Sequence, residues 1–138
     1  MTRRACGEGG GATVELVVLT PLVVLLVGFV LFAGRLGLAA ADVRQAAASA
    51  ARAASLTDTP AAAAAVAHRQ VAENLAADGR SCADPSVTVD AQVTAGGRVT
   101  VSVVCPLPLG DLAPVGLPGT KVVEALAVEP VDVFRSAP

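Results

Sequence analysis

The chain has 138 residues, of which 54% are hydrophobic, and it carries a formal net charge of only -2 at neutral pH. Its mean hydropathy of +0.65 is higher than a soluble domain of this length usually shows. Tryptophan and tyrosine are absent, so little large apolar volume remains for a soluble core. Because the sequence has neither a long basic tract nor aromatic platforms for bases, it excludes a nucleic-acid-binding function.

An uncharged apolar run from Leu16 to Gly34 follows a short polar leader. Its length is close to the roughly 20 residues that span a bilayer, so we predict a leader at residues 1–11 and a transmembrane helix at 12–34. Glu15 lies directly before the run, and Arg35 ends it. An ionised acid beside lipid costs at least about 2.5 kcal/mol unless it finds a partner, which makes Glu15 a candidate functional residue.

Two further features of this region bear on its geometry. Pro21 removes the backbone N–H that would bond the carbonyl of Val17, so we expect a kink in the helix. Thr20 or a neighbouring helix would then donate a hydrogen bond to that carbonyl. Arg3 and Arg4 precede the run, which weakly favours an inside N-terminus and an outside C-terminal domain, since Arg35, Arg44 and Arg52 follow the run.

The helical pattern continues beyond Arg35 to about Leu56, with alanines recurring at three- and four-residue spacing. Such a stripe lets another helix approach closely, either a partner subunit or another part of the same chain. After a break, Thr59 is a predicted N-cap, Pro60 is the first residue of a second alanine-rich helix, and this helix runs to about Ala77. We assign residues 35–80 to an extracytoplasmic helical stalk.

From Ser86 the apolar period changes to two, which predicts a strand, a turn at residues 95–97 and a returning strand from Arg98 to Val104. We expect residues 105–108 to end this strand, a loop to follow to Gly119, and a third strand to span residues 121–129. Residues 81–138 therefore form a small β-meander domain. The predicted fold class is α+β: a long transmembrane helix, a second helix and a three-stranded antiparallel sheet.

Cys82 and Cys105 flank the predicted hairpin. A disulfide between them would stabilise the fold by roughly 3 kcal/mol in the chain-entropy model and would place the domain on an oxidising side of the membrane. The alternative is that both are buried free thiols.

Candidate catalytic groups are lacking in the sequence. It has one histidine, His68, no Ser/His/Asp set and no spacing of metal ligands, so His68 is interpreted as a solvated residue. We predict no enzymatic activity, no cofactor and no metal site.

The motifs of the first half, taken in order, resemble those of TadE-like proteins, the minor pseudopilins of the tight-adherence branch of type IV pilus machinery. The motifs that carry this resemblance are Gly10-Gly11-Ala12-Thr13-Val14-Glu15, Leu19-Thr20-Pro21-Leu22, Gly34-Arg35, Val43-Arg44-Gln45-Ala46-Ala47 and Ala50-Ala51-Arg52-Ala53-Ala54.

The resemblance implies that a prepilin peptidase cuts between Gly10 and Gly11, which makes Glu15 the fifth mature residue. Glu15 would then pair with the new amine of Gly11 or with that of a neighbouring subunit. The implied partners are the membrane, other pilin-like subunits, the pilus assembly platform and the peptidase. The implied location is the bacterial cytoplasmic membrane, crossed once, with the C-terminal domain outside. The alternative for Glu15 is an acid that merely rests at headgroup level.

Two other functions remain open from the sequence. One is an exported protein whose first forty residues are a Sec signal, since residues 38–41 offer small side chains for cleavage. The other is a single-pass membrane scaffold unrelated to pili.

Overall fold

The computed structural model describes residues 10–77, 82, 84–112 and 118–134. Within these residues the elements are three helices and three strands, α1 (Gly10–Ser55), α2 (Pro60–Ala77), β1 (Ser86–Ala91), β2 (Arg98–Pro108), α3 (Leu109–Leu112) and β3 (Thr120–Pro130). This is the predicted α+β class. The chain divides into two compact units, the first ending at Gly34 and the second beginning at Arg35, and α1 contributes to both.

The break between α1 and α2 has the N-cap and the first helical residue that the sequence predicts. The backbone N–H and the hydroxyl of Thr57 both donate to the carbonyl of Ala54, which satisfies the last turn of α1. Thr59 then caps α2, because its Oγ1 accepts the N–H of Ala62 at 3.2 Å. Pro60 occupies the first helical position, where its missing donor costs nothing.

The sheet is an antiparallel meander in the order β1-β2-β3. Val101 occupies the middle of the central strand, opposite Val89 of β1 and Ala127 of β3. Since directly opposed residues share a face, the odd-numbered residues of all three strands lie on one side of the sheet.

That side is the core. The odd-numbered residues of β2 from Val99 to Leu107 are all buried. The residues of α1 and α2 that are buried with them are almost all alanine: Ala39, Val43, Ala46, Ala47, Ala50, Ala51, Ala54, Ala63, Ala67 and Val71. Valines on the strands therefore supply most of the apolar volume, and alanines on the helices allow close approach.

β2 extends further than predicted. We expected it to end at Cys105–Pro108, but it continues to Pro108 and remains paired with β3. The N–H of Gln92 donates to the carbonyl of Arg98, so even-numbered residues of β2 aim their backbone groups toward β1. β1 reaches only as far as Val104, and therefore Pro106 and Pro108 remove no ladder hydrogen bond.

The turn between β1 and β2 depends on two glycines. Gly96 has a φ of 73°, in the region that side-chain-bearing residues avoid. A Cβ on Gly97 would overlap the backbone carbonyl oxygen of Gln92. The turn predicted at residues 95–97 therefore requires glycine at both positions.

Candidate functional site

The candidate site is the N-terminal part of α1, which exposes a continuous apolar surface. Every residue from Leu16 to Leu31 is exposed, with Leu25 at 71%. The most apolar 18-residue window of this helix has a mean hydropathy of 2.9, and none of it is buried within the protein. The helix is therefore long and apolar enough to cross a membrane, which indicates single-pass anchoring.

Glu15 lies at the start of this surface, and its side chain is exposed. α1 begins at Gly10, so Gly11 and Glu15 are both helical and lie four positions apart. Residues at this spacing share one face of a helix. A backbone amine at Gly11 would thus lie one turn from the Glu15 carboxylate.

Pro21 lies inside the continuous α1 helix. The hydroxyl of Thr20 donates to the carbonyl of Leu16 at 2.6 Å. The carbonyl that loses its partner to Pro21 is that of the next residue, Val17. The Thr20 hydroxyl therefore bonds to the carbonyl one residue before the one that we expected it to satisfy.

The alanine stripe of α1 is part of the core of the second unit. Ala46, Ala47, Ala50, Ala51 and Ala54 have no exposed surface within the single chain. Of the two roles that the sequence left open for the stripe, the structure shows the intramolecular one.

The predicted disulfide is present. Cys82 and Cys105 are bonded, and their Cα atoms lie 5.5 Å apart. Cys105 is buried on β2, and together with Ala39 and Val43 of α1 it lines a small cleft. The bond therefore ties Cys82, ahead of β1, to the core strand β2.

His68 is exposed on α2, next to an exposed Arg69 whose guanidinium lies 4.0 Å from the Glu73 carboxylate. Ion pairs of this kind between exposed side chains contribute little to stability. This part of α2 is a solvated surface.

One surface was missed by sequence reasoning. Val122, Leu126 and Val128 of β3 point away from the core and are 49%, 69% and 53% exposed. The sequence signal is that both faces of this strand carry apolar residues, whereas a strand with one solvated face alternates apolar and polar residues. The pairing with β2 determines which face of β3 is buried.

The family model described as TadE-like protein matches residues 10–52, less than half of the chain. Comparison with curated proteins and with solved structures finds no significant match. The matched segment contains Glu15, the whole apolar surface and most of the alanine stripe. The chain thus carries a TadE-like domain at residues 10–52, which supports a role in tight-adherence pilus assembly.

Proposed function

We propose that this protein is a minor pseudopilin or assembly subunit of a tight-adherence, type IVb-like pilus, and that it acts by membrane anchoring and helix association. The observation that carries the proposal is Glu15, an exposed carboxylate at the edge of an apolar helix surface that none of the described residues buries. A charge at this position is costly in lipid, so it favours a role that supplies a partner.

The partner in this proposal is an amine. Cleavage between Gly10 and Gly11 frees the amine of Gly11 one helical turn before Glu15, on the same face. Pairing of the carboxylate with this amine, or with that of a neighbouring subunit, offsets the desolvation of both charges and fixes how far one helix is displaced along the next. Assembly then requires no catalysis by this chain.

The proposed arrangement places residues 1–11 on the cytoplasmic side, 12–34 in the cytoplasmic membrane, and residues 35–80 and 81–138 outside. Arg3 and Arg4 favour this orientation only weakly, because Arg35, Arg44 and Arg52 follow the apolar run on its other side. The disulfide supports an oxidising compartment for the second unit.

The test of processing is the intact mass of the protein purified from its own membranes. A mature chain that begins at Gly11 is expected. A full-length mass contradicts cleavage and favours an uncut membrane scaffold, and a chain that begins near Asp42 identifies a Sec-exported domain.

The test of Glu15 uses Glu15→Ala and Glu15→Gln in the native pilus system. Both variants are expected to enter the membrane at normal levels but to lose incorporation into pili or pilus formation, since neither retains the charge. Glu8→Ala is the matched control, because it removes a carboxylate that cleavage discards. Normal assembly of the Glu15 variants would overturn the proposed role.

A further inference from the structure

The outer face of the sheet, which points away from the core, carries an apolar patch. On β3 this patch contains Val122, Leu126 and Val128, which are about half exposed or more. On β2 it contains Val104 and Pro106, both partly exposed, and Pro106 lies directly opposite Val122. We call these residues the outer-sheet patch. Contiguous exposed apolar surface of this kind marks an interaction site.

One charged side chain lies within the outer-sheet patch. Glu124 follows Val122 at the next outward position of β3, precedes Leu126, and lies opposite Val104. Its side chain is exposed, and within the part of the chain that the structure describes it has no ion-pair partner. A surface that covers the patch must therefore be apolar or small, and it must supply a cation opposite Glu124.

The exposed face of α1 in the second unit has these properties. Gly37, Ala41 and Ala48 are exposed on it, and a Cβ at Gly37 would meet nothing. Arg44 shares this face, since it lies three residues from Ala41 and four from Ala48. Arg44 is exposed and has no ion-pair partner among the described residues. The one acid between residues 35 and 55, Asp42, lines a cleft on another side of the helix.

We propose that the exposed α1 face of one copy of this chain covers the outer-sheet patch of a second copy, with Arg44 against Glu124. The inference deepens the proposed function, on which it rests for the anchoring of both copies in one membrane. In that arrangement a symmetric contact between two outer-sheet patches would oppose two carboxylates, and one between two α1 faces would oppose two arginines. Only the helix-to-sheet contact sets opposite charges against each other.

The direction of α1 agrees with a shared membrane. Ala39 lines a cleft with Leu107, which lies opposite Lys121 near the start of β3. Arg52 lines another cleft with Glu129, near the end of β3. Within the second unit α1 and β3 therefore run in the same direction. Two copies in the helix-to-sheet contact keep this direction, so the ends of α1 that continue into the apolar segment lie on the same side.

The same levels bring Arg44 to Glu124. Glu124 lies about 10 Å farther along β3 than the residue that is level with Ala39. This distance corresponds to about six or seven residues of α1, which leads to the turn that contains Arg44. Ala48 is then level with Leu126, because four helical residues and two strand residues each span about 6–7 Å. Two copies at equal height therefore oppose both pairs.

The contact joins two different faces, so it can repeat. The copy that offers its outer-sheet patch keeps its own α1 face exposed, and this face can cover the patch of a third copy. Contacts of this heterologous type build a row of subunits unless the rotation between copies closes a ring. The contact thus suits a subunit of an extended assembly.

The register is tested by cross-linking two differently tagged full-length chains in their own membranes, both with Cys6→Ser. One chain carries Ala48→Cys and the other Leu126→Cys, and mild oxidation is expected to join them. The matched control replaces Leu126→Cys with Thr88→Cys. Thr88 is exposed at the same height on the outer face of the sheet but two strands away, at about 10 Å, so little product is expected.

The charge pair is tested within the same cross-linking experiment. Arg44→Glu in the chain with Ala48→Cys, or Glu124→Arg in the chain with Leu126→Cys, is expected to lower the yield about tenfold, because like charges then meet. The two changes together are expected to restore it. Lys121→Glu in the second chain is the control, because it changes the charge as Arg44→Glu does but on the other side of the sheet from Glu124.

Several results would overturn the proposal. They are absence of the product between residues 48 and 126, an equal yield with Thr88→Cys, a yield that ignores the charge changes, and a product that joins mainly two Ala48→Cys chains. All these measurements leave Glu15 and the Gly10–Gly11 bond unchanged and require no pilus. Their failure is therefore distinct from a failure of the proposed function, which the Glu15 variants and the mature mass report.

Discussion

Cys82 and Cys105 are joined by a disulfide although they lie 23 positions apart in the sequence. The bond closes a loop that contains β1 and most of β2. Reducing it is expected to lower the free energy of unfolding by about 3 kcal/mol, mainly because the unfolded chain gains freedom. Urea unfolding of the full chain in detergent, with and without reductant, measures the difference. An unchanged midpoint would contradict the prediction, and Cys6→Ser is the control that leaves the bond intact.

The alanine stripe of α1 gives a second prediction. Ala47→Leu places a larger side chain where no surface is exposed, so it is expected to cost about 1–3 kcal/mol through overpacking. Ala48→Leu, one residue further on the exposed side of the same helix, is expected to change stability by less than about 0.5 kcal/mol. Equal thermal midpoints for the two variants would show that the stripe is not closely packed.

Two glycines differ in whether the structure has room for an added side chain. Gly97→Ala is expected to destabilise the hairpin by about 1–3 kcal/mol, because its Cβ overlaps the Gln92 carbonyl oxygen and the backbone must move. Gly37→Ala meets open space on α1 and is expected to stabilise the protein by up to about 1 kcal/mol. Thermal unfolding of both variants checks this contrast in sign.

The cap of α2 is tested by two substitutions at one residue. Thr59→Ala removes the acceptor for the Ala62 N–H and is expected to cost about 1 kcal/mol. Thr59→Ser keeps an oxygen at that place and is expected to preserve stability. Hydrogen exchange in the first turn of α2 should accelerate only in the alanine variant, and acceleration in both would point to a cause other than the cap.

Local signals predicted much of the fold. Thr59 and Pro60 specified the start of α2, and the glycines after Ala95 specified the turn of the hairpin, because these residues act on their own backbone. The alternation of valines on β2 predicted the core face. Glu15 was found as a candidate from its position alone, since a charge at the edge of a lipid-facing run is expensive. Its role in assembly remains a prediction.

What the sequence did not predict depended on pairing between distant elements. The extension of β2 through Pro106 could be understood only from the short length of β1, which leaves that side without a ladder. On β3, the larger side chains Val122, Leu126 and Val128 face outward and Ala125 and Ala127 face inward. Hydrophobicity by itself would have favoured the opposite orientation, and the register with β2 decides it.

The two prolines at the end of β2 also determine how the sheet can grow. Past Val104, an incoming chain that tried to lie beside β2 would meet Pro106 and Pro108, two residues that offer no donor. Lateral addition is therefore blocked on that stretch. On this side of the sheet a further strand can therefore pair only with β1, the six residues from Ser86 to Ala91.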